Sequence, residues 1–217
     1  MRTHQLEQVV DAIALARARV PSQRSLLIGI SGIDASGKGF VTEKLTREIE
    51  ARGWNVAAVG ADGWLNLPHV RFDAENPAAH FYDHAFRFDE MFERLVLPLR
   101  NTRGIDLEAD FVEETATTFR KHRYEFHDVD IILLEGIFLL QPAHRDHFDL
   151  KVWIDCSFET ALQRAVARGQ EGLPPAETIH AFETIYFPAQ RIHLARDNPR
   201  ETSDVVFPNE SQSPPKS

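Results

Sequence analysis

The stretch Gly32-Ile33-Asp34-Ala35-Ser36-Gly37-Lys38-Gly39 constrains this chain more than any other. It follows the apolar run Leu26-Leu27-Ile28-Gly29-Ile30 and precedes a helix-like segment over residues 40–52. A strand, a glycine loop ending in Gly-Lys, and a helix is the order of a phosphate-binding P-loop. The glycines let the backbone turn so that successive N–H groups point inward, and the helix N-terminus adds partial positive charge. Gly32, Asp34, Ala35, Ser36, Gly37, Lys38, Gly39 and Phe40 are therefore the candidate nucleotide-binding residues, with Lys38 reaching the β- and γ-phosphates. ATP and Mg²⁺ are the expected ligands. The pattern asks for Ser or Thr after the lysine, whose hydroxyl ligates Mg²⁺, and Gly39 stands there instead. Phe40 offers no hydroxyl and Thr42 lies further along the helix. A water can fill the missing position, because Mg²⁺ keeps several waters readily. The competing reading is a glycine-rich turn with no ligand, and the flanking strand and helix argue against it.

The rest of the chain repeats the alternation. Leu6, Val9, Val10, Ile13 and Ala14 recur at helical spacing, which predicts an N-terminal helix over 1–24, packed on the domain's edge and ended by Pro21-Ser22. Apolar runs predict buried strands over 56–59, 130–134 and 150–154, with a short last strand over 205–207. Helices are expected over 88–100 and 158–168, and one or two more over 176–196. Residues 62–77 read as a loop, and 105–125 as a hairpin with a loop. The polar tail, 209–217, reads as disordered. Strands alternating with helices imply an α/β fold, here a three-layer αβα P-loop NTPase with a mostly parallel sheet. The main domain spans 25–208, with a small helical lid near 164–190. Ligands in such sheets bind beyond the carboxyl ends of the strands. That rule selects Asp62, Glu135 and Asp155 beside the glycine loop.

Composition narrows the classes further. The chain has 217 residues, enough for one α/β domain with a sizeable core. Its net charge of −9 argues against a broad nucleic-acid-binding surface. The one cysteine, Cys156, permits no internal disulfide. No apolar segment resembles a signal peptide or is long enough to span a bilayer, so a cytoplasmic protein without membrane contact is expected. The histidines have no zinc-ligand spacing with cysteines.

Certain segments together resemble the uridine kinase-like branch of P-loop kinases, over about residues 26–209. They are the glycine loop, Ala61-Asp62-Gly63-Trp64-Leu65, Tyr82-Asp83-His84-Ala85-Phe86-Arg87-Phe88-Asp89, Ile132-Leu133-Leu134-Glu135-Gly136-Ile137 and Tyr186-Phe187-Pro188-Ala189-Gln190-Arg191. The loop and the strand-end carboxylate occur in many P-loop kinases; the combination in this order is more specific. Nucleoside-monophosphate kinases carry a similar Gly-Lys-Gly sequence. The family's pyrimidine-reading segment should fall near 110–120, and its Tyr and His have no match there.

The resemblance implies phosphoryl transfer from ATP to a nucleoside hydroxyl, uridine or cytidine. Asp62 is then the base, or else an Asp capping the turn before Gly63. Glu135 holds Mg²⁺, or else caps a neighbouring helix. Asp83 and His84 contact the acceptor ribose, or else Asp83 is an N-cap and His84 a surface or packing residue. Arg164 and Arg168 lie one helical turn apart, as lid arginines on the migrating phosphoryl group or as a solvated helix face. Arg191 is a further candidate for phosphate or acceptor contact. A kinase of another small metabolite, or a nucleotide-binding regulator without turnover, are the alternatives. A homo-oligomer is expected by analogy only.

Overall fold

The computed structural model describes residues 2–169 and 173–210. Its strands are β1 (Leu26–Gly32), β2 (Val56–Gly60), β3 (Ile105–Phe111), β4 (Arg120–Phe126), β5 (Ile131–Glu135), β6 (Leu150–Asp155) and β7 (Val205–Pro208). Its helices are α1 (Arg2–Arg19), α2 (Lys38–Ala51), α3 (Pro68–Arg71), α4 (Pro77–His84), α5 (Phe88–Met91), α6 (Leu97–Thr102), α7 (Phe158–Arg168), α8 (Pro175–Ala181) and α9 (Phe187–Asp197). The main sheet runs β2-β5-β1-β6-β7 with every pairing parallel. The register sets Ile30 beside Glu135 and Gly32 beside Ile154. The chain leaves β1 to build one side of the sheet and returns to build the other. The end of β1 is thus a topological switch point, where ligands bind.

Both faces of the sheet are buried, which is why its strands read as continuous apolar runs. Leu26, Ile28 and Ile30 point to one face, with Ile131 and Leu133 of β5, Val9, Val10 and Ile13 of α1, and Val41, Leu45 and Ile49 of α2. Leu27, Ile132 and Leu134 point to the other, against Phe81, Met91, Leu95 and Phe138. Each such side chain contributes roughly 1.5–3 kcal/mol on leaving water. The result is the expected three-layer αβα arrangement. The first helix supplies core residues to the α2 face of the sheet.

Two helical stretches continue through a wider turn. A π-helical turn, Phe92–Val96, joins α5 to α6, and another, Phe182–Tyr186, joins α8 to α9. Each next helix carries a proline near its start, Pro98 and Pro188. Proline lacks an N–H and clashes with the carbonyl four residues back, and a wider turn accommodates it. The segment expected as a loop over 62–77 contains a 3₁₀ turn, Ala61–Trp64, and α3, whose Pro68 pre-sets the first helical φ. These pieces are too short for periodicity to reveal. β3 and β4 form an antiparallel hairpin, Ile105 opposite Phe126 and Phe111 opposite Arg120.

Two polar clusters fix the layers. Asp149 accepts Arg24 Nη1 and Nη2 at 2.7 and 2.8 Å, Arg100 Nη2 at 3.1 Å and the Leu27 N–H at 2.9 Å, tying β1, β6 and α6 together. Asp197 of α9 accepts the Tyr82 hydroxyl of α4 at 2.5 Å and lies 2.5 Å from His193 Nδ1. This cluster sets the rotation of α4 against α9.

The chain stays ordered beyond β7, contrary to the expected start of a disordered tail at Asn209. The Asn209 N–H donates to Asp155 O at 2.7 Å, and its side chain is buried. Glu210 accepts from the Ser157 N–H, from Ser157 Oγ at 3.2 Å and from Thr160 Oγ1 at 2.7 Å at the start of α7. Residues 211–217 of the expected tail, and 170–172 of the expected lid, lie outside the described residues. Among the described residues, no helix is long and apolar enough to cross a membrane.

Candidate active site

The glycine loop leaves β1 and enters α2 through two residues of positive φ, Ala35 at 53° and Gly37 at 90°. Left-handed residues turn successive N–H groups into a concave, anion-binding nest. Gly32 is required by a close approach: a Cβ there would lie 2.7 Å from Ile154 O and 2.8 Å from Ser36 Oγ. Ile33 O accepts the Ser36 N–H at 3.1 Å and Lys38 Nζ at 3.1 Å. Asp34 Oδ1 accepts the Ala35 N–H at 2.7 Å, and Gln190 Oε1 of α9 accepts the Asp34 N–H at 3.0 Å.

The loop forms one wall of a cleft of about 260 Å³, with Asp34, Ala35, Gly37, Lys38, Gly39 and Phe40 along it. Asp62 and Glu135, at the ends of neighbouring strands, line it, and Arg168 reaches it from the end of α7. The other wall is mainly apolar, with Leu65, Phe81, Phe86, Ile137 and Tyr186, and carries two charged residues, Arg71 and Glu114.

Charge in the cleft is dense and mixed. Asp62 opens to water but is closely ringed by protein. That crowding is the largest influence and raises its pKa; Lys38 opposes it, Asp34 adds to it, and Arg168 and Arg71 oppose it. Burial likewise raises the Glu135 pKa, with Lys38 and Arg168 opposing and Asp62 and Asp34 adding. A Cβ on Gly39 would find only Glu135 Oε1, at 4.0 Å. The space a serine would occupy is open and faces a carboxylate, so the residues present fit a hydrated Mg²⁺ held by Glu135.

The structure gathers Asp34, Ala35, Gly37, Lys38, Gly39, Phe40, Asp62, Glu135 and Arg168 into this cleft, while Gly32 and Ser36 are buried behind its lining. It does not bring the other candidates there. Asp83 is exposed on α4 and lies 3.9 Å from Arg196. His84 stacks on His80 with ring centroids 4.2 Å apart, outside the cleft. The Tyr82–Asp197 contact turns Phe81 toward the cleft wall, so Asp83 points elsewhere. Arg191 is exposed and sits over the Phe158 ring at 4.6 Å. Asp155, also at a strand end, faces Arg200 at 3.3 Å. Arg164 is bound to the loop's outer side, donating to Ser36 O at 3.0 Å and Asn209 O at 2.7 Å.

Sequence reasoning missed Gln190 and Asn209 as residues holding the loop, and gave no reason to single out Arg71, which is only 3% exposed. The buried Gln190 directly follows Pro188-Ala189 in a segment already singled out. Asn209 had no local signal.

Comparison with known proteins agrees with this architecture. Residues 27–172 match the model of the phosphoribulokinase / uridine kinase family. A uridine kinase of Staphylococcus carnosus is 31% identical over 187 residues, covering 84% of this chain and 86% of the relative. A uridine kinase of Macrococcus caseolyticus is 28% identical over 190 residues, covering 85% and 88%. The structure of a possible uridine kinase from Bacillus stearothermophilus superposes with a TM-score of 0.72 at 20% identity, covering 94% of this chain and 98% of that one; it speaks to the fold alone. With more than half its length matched, the chain belongs to the phosphoribulokinase / uridine kinase family and is a P-loop phosphotransferase that acts on a hydroxyl acceptor.

Proposed function

We propose that this kinase transfers the γ-phosphoryl group of ATP to a hydroxyl of a nucleoside, uridine or cytidine. The observation that carries the reading is a carboxylate just past a strand end, Asp62, lining the same cleft as the anion nest of the loop. Asp62 orients the acceptor hydroxyl and takes its proton as the new O–P bond forms and the bond to ADP breaks. Lys38 neutralises the β- and γ-phosphates, and Arg168 adds a second cation from α7. Glu135 would hold Mg²⁺, which supplies charge neutralisation across the phosphates when bound. The apolar far wall suits a flat base or another compact apolar group. The curated relatives are uridine kinases, which favours the nucleoside.

One observation favours a second reading, another small alcohol. Asp83 and His84, which the resemblance gives to the ribose, lie outside the cleft, whereas Arg71 and Glu114 line it. Release of ADP from ATP and Mg²⁺ separates the two readings, measured over nucleosides, nucleoside monophosphates and small sugars. Turnover with uridine or cytidine is expected, and Lys38→Ala and Asp62→Asn should each reduce it by about 10²-fold or more. Turnover with a sugar alone would favour the second reading. No acceptor-dependent turnover across the panel would contradict the first.

A further inference from the structure

We infer that Asn209 and Arg164 form a two-donor clamp that aims the Gly37 N–H into the phosphate cradle. Both are positioning residues, acting through the loop backbone. The inference rests on the phosphate-binding reading of the loop given above.

The geometry converges on one peptide. Asn209 Nδ2 donates to Ser36 O at 2.7 Å, and Arg164 Nη1 donates to the same oxygen at 3.0 Å. A carbonyl oxygen has two lone pairs, so this acceptor is filled by the two donors. The peptide unit is planar and trans, with its C=O and N–H pointing in opposite directions. Pinning Ser36 O on the outer side therefore directs the Gly37 N–H toward the cleft that Gly37 lines. Gly37 already holds φ at 90°, and the clamp restrains the neighbouring peptide from flipping.

The clamp is itself braced. Arg164 Nη2 donates to Asn209 O at 2.7 Å, so one guanidinium bridges the loop and the chain after β7. The Asn209 N–H is spent on Asp155 O at 2.7 Å. Its amide orientation is fixed chemically, because a flipped amide would set one oxygen against another. Gly37 is required twice over: a Cβ there would lie 2.5 Å from Asn209 Nδ2. Arg164 sits on α7, the helix that carries Arg168 into the cleft. The clamp thus joins the loop to the arginine-bearing helix through a few short bonds.

The test uses the full chain and MgADP as the probe. Calorimetry measures its affinity for the unmodified protein and for Asn209→Ala, Arg164→Ala and Arg164→Lys. ¹⁵N-glycine spectra follow the Gly37 amide. Affinity should fall about tenfold in Asn209→Ala and Arg164→Ala, roughly a 1.4 kcal/mol loss. The lysine variant should be intermediate, since it keeps one donor for Ser36 O. The Gly37 amide should shift strongly on MgADP binding in the unmodified protein and weakly in the variants. A merely structural role would lower Tm and leave both affinity and the amide shift intact in the folded protein. If Asn209→Ala does not fold, Arg164→Lys decides by the same readouts. Unchanged affinity and an unchanged Gly37 shift would overturn the clamp while leaving the loop's phosphate binding in place. Failure of the unmodified chain to bind MgADP would overturn both.

Discussion

Asp62 is exposed to the cleft yet crowded by protein, and its proton affinity reflects the crowding. Its pKa lies above the ordinary carboxylate value of about 3.9. A base works only when deprotonated, so kcat/KM should rise with pH as Asp62 loses its proton, with an acid limb above that ordinary value. Arg168 opposes the upward shift, so Arg168→Ala should move the limb to still higher pH. A pH–rate profile between about pH 4 and pH 8 checks both expectations; a limb that stays put in the variant would remove Arg168 from the electrostatics of the base. The linkage sign is the other way for stability. A carboxyl with a raised folded pKa contributes stability that is lost as pH rises through that pKa, so its ionised form does not support the fold at neutral pH. Asp62→Asn should therefore lose turnover without losing Tm.

Asp149 belongs to the scale of elements, since it joins β1, β6 and α6. Burial alone would raise its pKa, but hydrogen bonds from Arg24 and the Leu27 N–H, with the charge of Arg100, hold it below the ordinary value. A depressed carboxyl pKa contributes stability that is complete above the unfolded value, about 3.9, and is lost as pH falls through the folded one. Asp149→Asn should destabilise the protein by about 1.5–3 kcal/mol at neutral pH. The gap from the unmodified protein should narrow below about pH 4. Denaturant titrations at the two pH values measure it; a gap independent of pH would mean that the charge is not what matters. The elements themselves were largely readable in the sequence. β1 and β5 are buried on both faces and so appear as unbroken apolar runs. Asp62 and Glu135 could be picked out because they end strands on the ligand side. Asn209 and Gln190 could not, because they meet the loop across 173 and 156 residues of sequence. Resemblance assigns Asp83 and His84 to the acceptor site, but the phase of α4 is set by its contact with α9, which no local pattern encodes.

For the whole molecule, the sheet order brings the glycine loop, two strand-end carboxylates and Arg168 to one end of β1, against a mainly apolar wall. Helices pack on both faces of the sheet, and the clamp on Ser36 O ties the loop to the chain just after the last strand. Each part fits the transfer of a phosphoryl group to an alcohol. The most direct test is mass-spectrometric analysis of the products formed from uridine, ATP and Mg²⁺. Uridine monophosphate formed together with ADP, and absent with Lys38→Ala, is the predicted result. ADP formed without any phosphorylated nucleoside, or no ADP at all, would contradict the assignment of a nucleoside as the acceptor.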